Sequence, residues 1–163
     1  ASIYLVSFGW NGICMVSHED RLKILREIHR ILMPGGVFIL TTYNKDCPIE
    51  SEGFRFPEFE QAKTVGQYAR NVLQYGTSTI VRMRNWVRYR KFNQRLAEYS
   101  IINDPSHDYG VMLYYITLEN QRRQLESLGY EADAPAYCVN GKLITGAYDG
   151  RDYAMLARKV ARA

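Results

Sequence analysis

The sequence is poor in cysteine and lacks long apolar runs. Its three cysteines, Cys14, Cys47 and Cys138, are scattered and lack the short spacing of a metal-ligand pair, so they predict buried, reduced thiols rather than a disulfide framework or a zinc site. No apolar run approaches the roughly 18 residues of a membrane-spanning helix, and the N-terminus lacks the basic and apolar regions of a signal peptide. We therefore expect a soluble, cytoplasmic protein with no metal ion and no membrane partner.

The sequence also lacks internal repeats, low-complexity segments and a large excess of one charge. A net charge of +4 over 163 residues favours acidic partners only weakly, because charges of this size are common in small domains. Apolar residues make up 47% of the chain, which is enough for the core of a single domain over residues 1–163. The 13 tyrosines suit a pocket that is apolar inside and wet at its mouth, because their rings are amphipathic.

The clearest pattern in the sequence predicts a helix followed at once by a strand. Ser17 and Asp20 have the spacing of a capping box at a helix start, and apolar residues then recur at helical spacing. This recurrence predicts one buried stripe, with charged residues such as Arg21 on the face toward water. Pro34 and the two glycines after it predict the helix end, and the apolar run 37–40 predicts a strand covered on both faces within a parallel sheet. The predicted stripe comprises Leu22, Leu25, Ile28 and Leu32.

A second apolar run, residues 3–6, precedes this helix and completes a strand–helix–strand unit. Such a unit places its binding loops at the carboxyl ends of its strands, here residues 8–13 and 41–45.

The middle of the chain is harder to assign. Residues 45–58 predict a loop, and residues 59–75 predict a helix with a buried stripe that begins at Val65. Residues 76–78 predict a break, and residues 80–87 are compatible with either a helix or a strand. Two antiparallel strands are then expected at 99–102 and 110–116.

The last third of the chain predicts one helix and a hairpin. Thr117 is placed to cap a helix that ends at Gly129. Asn140-Gly141 is the strongest short hairpin signal in the sequence and predicts that strands 130–139 and 142–147 pair. A final strand is expected at 153–158.

A basic and aromatic segment lies at residues 82–95, where arginines alternate with rings such as Trp86. This composition is typical of a surface for single-stranded nucleic acid, but it also fits a solvated face whose rings point at the core. A third interpretation has one or two of the arginines, with Arg88 as the candidate, binding a carboxylate or phosphate of a substrate.

His107 lies next to Asp108 and close to Asp104, which makes it a candidate general base with an orienting carboxylate. Loop histidines are also commonly structural or simply exposed, so both interpretations stay open.

The chain resembles the class I S-adenosylmethionine-dependent methyltransferases, in particular small-molecule enzymes from bacteria. A helix that ends in Leu32-Met33-Pro34-Gly35-Gly36 before an apolar strand is common in that family. The segments that carry the likeness are 7–13, 18–22, 25–36, 41–44, 114–117, 124–130 and 153–159.

The resemblance places residue 1 near the fourth of the family's seven strands, because the earlier glycine-rich turn and the acidic ribose ligand have no counterpart here. It implies a truncated α/β, Rossmann-like sheet with family strands four, five, seven and six and an antiparallel C-terminal hairpin. It also implies a substrate-facing insertion at residues 45–116. The strand at Ile3–Val6 would become an exposed edge, so we expect a homo-oligomer or a separate N-terminal half to pair with it.

The resemblance also implies the site. Phe8, Asn11 and Gly12 would lie near the cofactor, S-adenosylmethionine. Tyr43, Asn44, Tyr114 and Tyr115 would surround the acceptor, together with Arg88 and the candidate base His107. Because alternate side chains of one strand face opposite sides, at most one of Tyr114 and Tyr115 can line the pocket.

Three functions follow. The first is methyl transfer to a small molecule, by this chain or by a larger protein of which it is the C-terminal part. The second is a catalytically incompetent domain that survives as an oligomerising or ligand-binding module. The third, an RNA methyltransferase fragment, ranks last because the basic residues are mixed with Glu98, Asp104 and Asp108 and do not form a continuous tract.

Overall fold

One mixed sheet organises the computed structural model, which describes residues 2–48, 53–131 and 133–161. Its seven described strands belong to a single sheet. In chain order the elements are β1 (Ile3–Phe8), α1 (His18–Ile31), β2 (Leu32–Asn44), α2 (Val65–Tyr89), β3 (Gln94–Arg95), β4 (Tyr99–Asn103), β5 (Met112–Ile116), α3 (Leu118–Glu126), β6 (Ala136–Cys138) and β7 (Asp152–Arg158). Short 3-10 helices lie at Gly12–Cys14, Arg90–Phe92 and Ser106–Tyr109.

The long strand β2 lies at the centre of this sheet. β1 runs parallel to it along residues 37–40, and β7 runs antiparallel to it along the opposite edge, with β6 outside β7. The resulting order β1-β2-β7-β6 confirms the expected order of family strands four, five, seven and six. Beyond the end of β1, β5 pairs in parallel with Tyr43 and Asn44, and β4 and β3 continue outward as antiparallel strands.

Helix α1 begins where the sequence predicts. The Ser17 hydroxyl accepts a hydrogen bond from the Asp20 amide, which satisfies one of the unpaired amides of the first turn. The helix ends at Ile31, and Leu32 is already extended, so the strand begins before Pro34 and includes Gly35 in the left-handed region at φ 73°.

The predicted buried stripe of α1 needs one correction. Leu25, Ile28 and Leu32 are buried, and Leu22 is half-buried. Arg21, predicted to face water, is fully buried. Its guanidinium donates to the carbonyl of Ile13 and to the side-chain oxygen of Gln121, so it links α1 to α3 through neutral acceptors.

Helix α2 also differs from the prediction. It runs without a break from Val65 through Gly76 to Tyr89, which settles residues 80–87 as helical. Thr77 and Thr79 donate hydrogen bonds to carbonyls of the preceding turn, so their polar groups are satisfied within the helix. None of its 25 residues, all of them described, is buried, and the predicted buried stripe at Val65 is therefore wrong.

The C-terminal hairpin is shorter than predicted. Gly141 lies in the left-handed region at φ 79°, as its turn requires, but only Tyr137 and Leu143 form a bridge across the turn. β6 has three residues, and Pro135, which has no amide to donate to a ladder, immediately precedes it. The final strand β7 agrees with the prediction.

The main core lies between one face of β2 and helices α1 and α3. Phe38 and Leu40 of β2 pack there with Leu25 and Leu125. Cys14 and Cys47 are buried and Cys138 is partly buried, all as free thiols. Within the described residues, no helix is long and apolar enough to cross a membrane.

Candidate functional site

A strained turn follows β1 at the carboxyl edge of the sheet. Trp10 and Asn11 adopt positive φ angles of 56° and 53°, which are costly for residues other than glycine and are found at binding and catalytic sites. The Asn11 amide donates to Thr41 Oγ1 at 2.7 Å, and Asn11 Nδ2 donates to Asp152 Oδ2 at 3.2 Å. These bonds fix the turn against the ends of β2 and β7.

The side-chain oxygen of Asn11, unlike its two nitrogen atoms, forms no hydrogen bond within the described part of the chain. Asn11 Oδ1 is buried and has no hydrogen-bond partner among the described residues. Leaving a buried carbonyl oxygen unpaired costs about 1–3 kcal/mol, so the turn presents an acceptor that is suited to a donor group of a ligand.

Phe8 and Gly12 support this turn. The Phe8 ring packs against the main core. A Cβ added to Gly12 would lie 3.0 Å from Phe8 Cε1, so glycine lets the chain pass close to the ring. Of the three residues expected near the cofactor, Asn11 is thus the one with an unused polar atom.

Near the carboxyl end of β2, Tyr43 and three residues from other segments form a polar cluster. The rings of Tyr43 and Tyr115 stack with centroids 5.2 Å apart, and the Tyr115 hydroxyl donates to the carboxylate of Asp104. The same carboxylate accepts from Arg151 Nη2 at 3.0 Å, and the guanidinium carbon of Arg151 lies 5.5 Å from the centre of the Tyr43 ring. We call Tyr43, Tyr115, Asp104 and Arg151 the tyrosine–arginine cluster.

Electrostatics fix the charge state of this cluster. Burial and the neighbouring Asp104 carboxylate raise the pKa of Tyr115 far above its ordinary value, so this phenol stays protonated and acts as a donor. Burial is the largest single influence on Arg151 and by itself lowers its pKa, but Asp104, Tyr115 and Tyr43 together outweigh it, so the pKa is raised. Arg151 is therefore a fixed cation, and its side chain is 38% exposed.

Tyr114 faces away from this cluster. It lies on the helix-covered face, where its hydroxyl is 2.9 Å from His18 Nδ1 and where the ring of His18 stacks on Tyr99 at 4.2 Å. Burial raises the pKa of Tyr114 to about 12. Tyr114 is thus a core residue, and Tyr115 alone of the two lies beside Tyr43, as the alternation of strand side chains requires.

Asn44 is a structural residue rather than a free polar group. Its Nδ2 donates to the carbonyls of Tyr148 and Gly150 at 2.7 and 3.0 Å, and its Oδ1 accepts from the Asp46 amide. The side chain therefore fixes the turn that leads into Arg151, and it acts on the tyrosine–arginine cluster only through that turn.

The structure does not form the predicted pair between His107 and an aspartate. His107 is exposed, and among the described residues no hydrogen bond joins it to either carboxylate. Asp104 is committed to Tyr115 and Arg151, whereas Asp108 accepts from Arg82 Nε at 2.8 Å.

Arg88 also lies outside the tyrosine–arginine cluster. It is exposed in the last turn of α2, and its guanidinium carbon is 5.3 Å from the centre of the Tyr89 ring.

Sequence reasoning missed Arg151 entirely and did not connect Asp104 with Tyr115 or Arg151. The register of the sheet brings them together, because Tyr43 lies opposite both Tyr115 and Asp152. A signal was present in the turn residues Asp149-Gly150 directly before Arg151, since strand ends beside turns are common places for binding residues. No group of three or more His, Cys, Asp or Glu side chains placed to hold a metal ion occurs in the part of the chain that the structure describes.

The strand order defines the class of fold, which is the Rossmann-like fold seen in S-adenosylmethionine-dependent methyltransferases. The CcbJ methyltransferase from Streptomyces caelestis is similar to this chain, with a TM-score of 0.55 and 14% identity over 96% of this chain and 61% of that one. No family model matches the sequence, and no curated protein matches it.

Other solved methyltransferases are similar to this chain as well. A methyltransferase from Methanosarcina mazei has a TM-score of 0.48 and 12% identity over 99% of this chain and 61% of its own. The glycopeptide N-methyltransferase MtfA, complexed with S-adenosyl-L-homocysteine, has a TM-score of 0.46 and 15% identity over 98% of this chain and 55% of its own. The chain thus spans about three fifths of the length of these proteins.

Proposed function

We propose that this chain is the C-terminal, acceptor-binding part of an S-adenosylmethionine-dependent methyltransferase that acts on a small molecule. The observation that carries the proposal is the order β1-β2-β7-β6, in a chain whose fold is similar to that of the CcbJ methyltransferase, together with a strained polar turn at the carboxyl ends of β1 and β2. Binding sites of doubly wound sheets lie at this edge.

The residues present fit one part of the cofactor site. The unpaired Oδ1 of Asn11 suits a donor group of S-adenosylmethionine, and Phe8 and Gly12 hold the turn that presents it. The sequence has no glycine-rich turn and no acidic ribose ligand to complete the site. When bound, the cofactor would supply an electrophilic methyl group.

The tyrosine–arginine cluster is our candidate for the acceptor side. The stacked rings of Tyr43 and Tyr115 offer an apolar platform, and Arg151 is held in place by Asp104, which reduces the entropy lost on binding. A guanidinium of this kind orients a carboxylate, a phosphate or a carbonyl oxygen. Correct positioning of the nucleophile against the methyl group is most of what such a reaction requires of the protein. His107 stays our candidate for the base, on an exposed turn next to α2.

Calorimetry with S-adenosylhomocysteine tests the proposal, on this chain and on a protein extended through the upstream reading frame. We expect weak or absent heat with the chain alone. The extended protein should bind with a dissociation constant well below about 1 mM, which corresponds to roughly 4 kcal/mol. In that protein Asn11→Ala should weaken binding, whereas Asn140→Ala, in the exposed hairpin turn, should leave it unchanged. An extended protein that binds neither this ligand nor S-adenosylmethionine would contradict the proposal.

The second candidate is a non-enzymatic module, and the exposed edge of β1 favours it. Within the described residues β1 pairs only with β2, and Ile3, Tyr4 and Leu5 are 40%, 59% and 53% exposed. Such an edge pairs readily with another chain, whether a second copy or an N-terminal half. Sedimentation of the parent chain and of Leu5→Lys, with Glu27→Lys on the exposed face of α1 as control, would test this edge. Equal association of all three would argue against it.

Nucleic acid is not a proposed partner. Arg82, one of the basic residues at 82–95, is committed to Asp108 and to the carbonyls of Arg55 and Pro105. If the remaining basic residues bound RNA, the affinity would fall steeply with salt. We expect no such salt-dependent binding.

A further inference from the structure

Helix α2 carries an apolar stripe that faces away from the rest of the molecule. Its opposite side contacts the body of the protein, where Arg82 pairs with Asp108 and the Trp86 ring lies 5.6 Å from that of Phe54. The stripe itself is exposed along the whole helix, from Val65 at 86% to Val87 at 55%. Exposed apolar surface of this length marks an interaction site.

The stripe is symmetric about Gly76. Its members lie four, seven and eleven residues on either side of that glycine, which are close to whole numbers of helical turns and therefore keep them on one face. The three pairs are Val72 with Ile80, Ala69 with Met83, and Val65 with Val87. A two-fold axis through Gly76 would bring each residue of a pair against its counterpart on a second antiparallel copy.

Gly76 itself permits close approach at that axis. A Cβ added there would meet no heavy atom of the described residues within 4 Å, so the fold of one copy does not require glycine at this position. Glycine in a helix interior costs about 1 kcal/mol relative to alanine. The absence of a side chain lets two helix backbones approach closely, as small residues do in other helix pairs.

We propose that two copies of this chain associate through α2, antiparallel, with the two Gly76 residues on the two-fold axis. Specific interfaces bury at least about 1,200 Å² in total, and the exposed apolar side chains of α2 on the two copies are the surface that would supply this area. This inference is independent of the proposed enzymatic function.

The charges of α2 select the antiparallel orientation. Arg82, Arg84 and Arg88 lie in its C-terminal half, whereas Arg70 is the one charged residue of its N-terminal half. A parallel pair would place each arginine beside the same arginine of the second copy, where the two like charges repel. An antiparallel pair places the cationic half beside the less charged half and also opposes the two helix dipoles.

Sedimentation equilibrium of charge variants tests the pairing. We expect a dimer for the parent chain, and Val72→Glu or Ile80→Glu should raise its dissociation constant at least about tenfold. The control Gln74→Glu is at an exposed position two residues before Gly76, which puts it away from the stripe, and it should leave the dissociation constant unchanged. A parent chain that stays monomeric at the highest soluble concentration would overturn the inference, and so would equal effects of all three variants.

Cysteine crosslinking in a Cys138→Ser background tests the orientation. Val72→Cys and Ile80→Cys, which leave Gly76 in place, should crosslink to each other on oxidation of a mixture, because a disulfide needs Cα atoms within about 7 Å. Val65→Cys and Val87→Cys should crosslink to each other in a mixture and not to themselves, since identical positions would lie about 33 Å apart along the helices. Self-crosslinking of Val65→Cys would show a parallel pair and contradict the proposal.

The same variants separate the other possible occupants of the stripe. If the parent chain is monomeric and binds vesicles that contain anionic lipid, and Ile80→Glu abolishes that binding, the stripe is a membrane surface and the dimer is excluded. If the extended protein is monomeric and Ile80→Glu unfolds it, the stripe is covered by the added segment, which also excludes the dimer.

Discussion

Asp104 determines the arrangement of the tyrosine–arginine cluster. Its side chain is 1% exposed, and it accepts hydrogen bonds from Tyr115, Arg151 and the amide of Ser106. A buried carboxylate is tolerated only when such partners replace water. The ion pair therefore does more to fix Arg151 in one orientation than to stabilise the fold.

We predict that Asp104→Asn destabilises the protein by about 2–3 kcal/mol. The substitution leaves Arg151 without its counter-charge, and it places an amide N–H among groups that themselves donate hydrogen bonds. Urea denaturation measures this. Asp133→Asn, at an exposed position, should stay within about 0.5 kcal/mol of the parent. Equal stabilities of the two variants would contradict the role of Asp104.

His18 should make stability depend on pH. Burial, and then the charge of Arg21, hold the pKa of His18 below its ordinary value of 6.5, although Glu19 and Glu98 act in the opposite direction. His18 in the unfolded chain therefore takes up a proton at a higher pH than in the folded protein. Its contribution to the free energy of unfolding is complete above about pH 6.5 and is lost as the pH falls below that value.

The free energy of unfolding, measured at about pH 7.5 and about pH 5.5, should decline less in His18→Gln than in the parent. His107→Gln changes an exposed histidine and should keep the full decline. An unchanged pH dependence in His18→Gln would show that other groups cause it.

At the scale of elements, the caps determine where the helices begin. Ser17, Thr64 and Thr117 each accept a hydrogen bond from the amide three residues later. These bonds are local, so the sequence predicts the caps of α1 and α3 without knowledge of the fold, although it placed the start of α2 near residue 59 instead of after Thr64. What a helix buries depends on its neighbours, which is why Arg21 and the stripe of α2 were both misplaced.

We predict that Thr117→Ala destabilises the protein by about 1 kcal/mol, because the first turn of α3 loses the acceptor for its Asn120 amide. Thermal unfolding measures the effect. Ser127→Ala, which removes a hydroxyl just after the same helix, should change the stability much less, and an equal loss would point to a cause other than the cap.

At the scale of the whole molecule, the sheet has an exposed edge at β1, and α2 lies apart from the main core. β2 has strands on both edges and a buried face, whereas β1 is exposed at its outer edge. Regions with few buried contacts open at low free energy. Stability should therefore be unevenly distributed over the chain.

Hydrogen exchange should show this difference. We predict that amides of α2 exchange much faster than those of β2 at low protein concentration, and that protection of α2 rises with concentration as the helix pairs. Slow exchange of α2 in a dilute monomer would contradict the prediction.

The sequence by itself determined the βαβ unit, the caps of α1 and α3, the strand order through its resemblance to methyltransferases, and the strand alternation that separates Tyr114 from Tyr115. These features follow from spacing, turn chemistry and strand geometry, which act over a few residues. Only the tertiary structure decided that Arg21 is buried, that α2 is exposed and continuous, that His107 lies apart from Asp104, and that Arg151 joins Tyr43. Each of these depends on which distant segments share a face or a register, and a linear pattern does not contain that information.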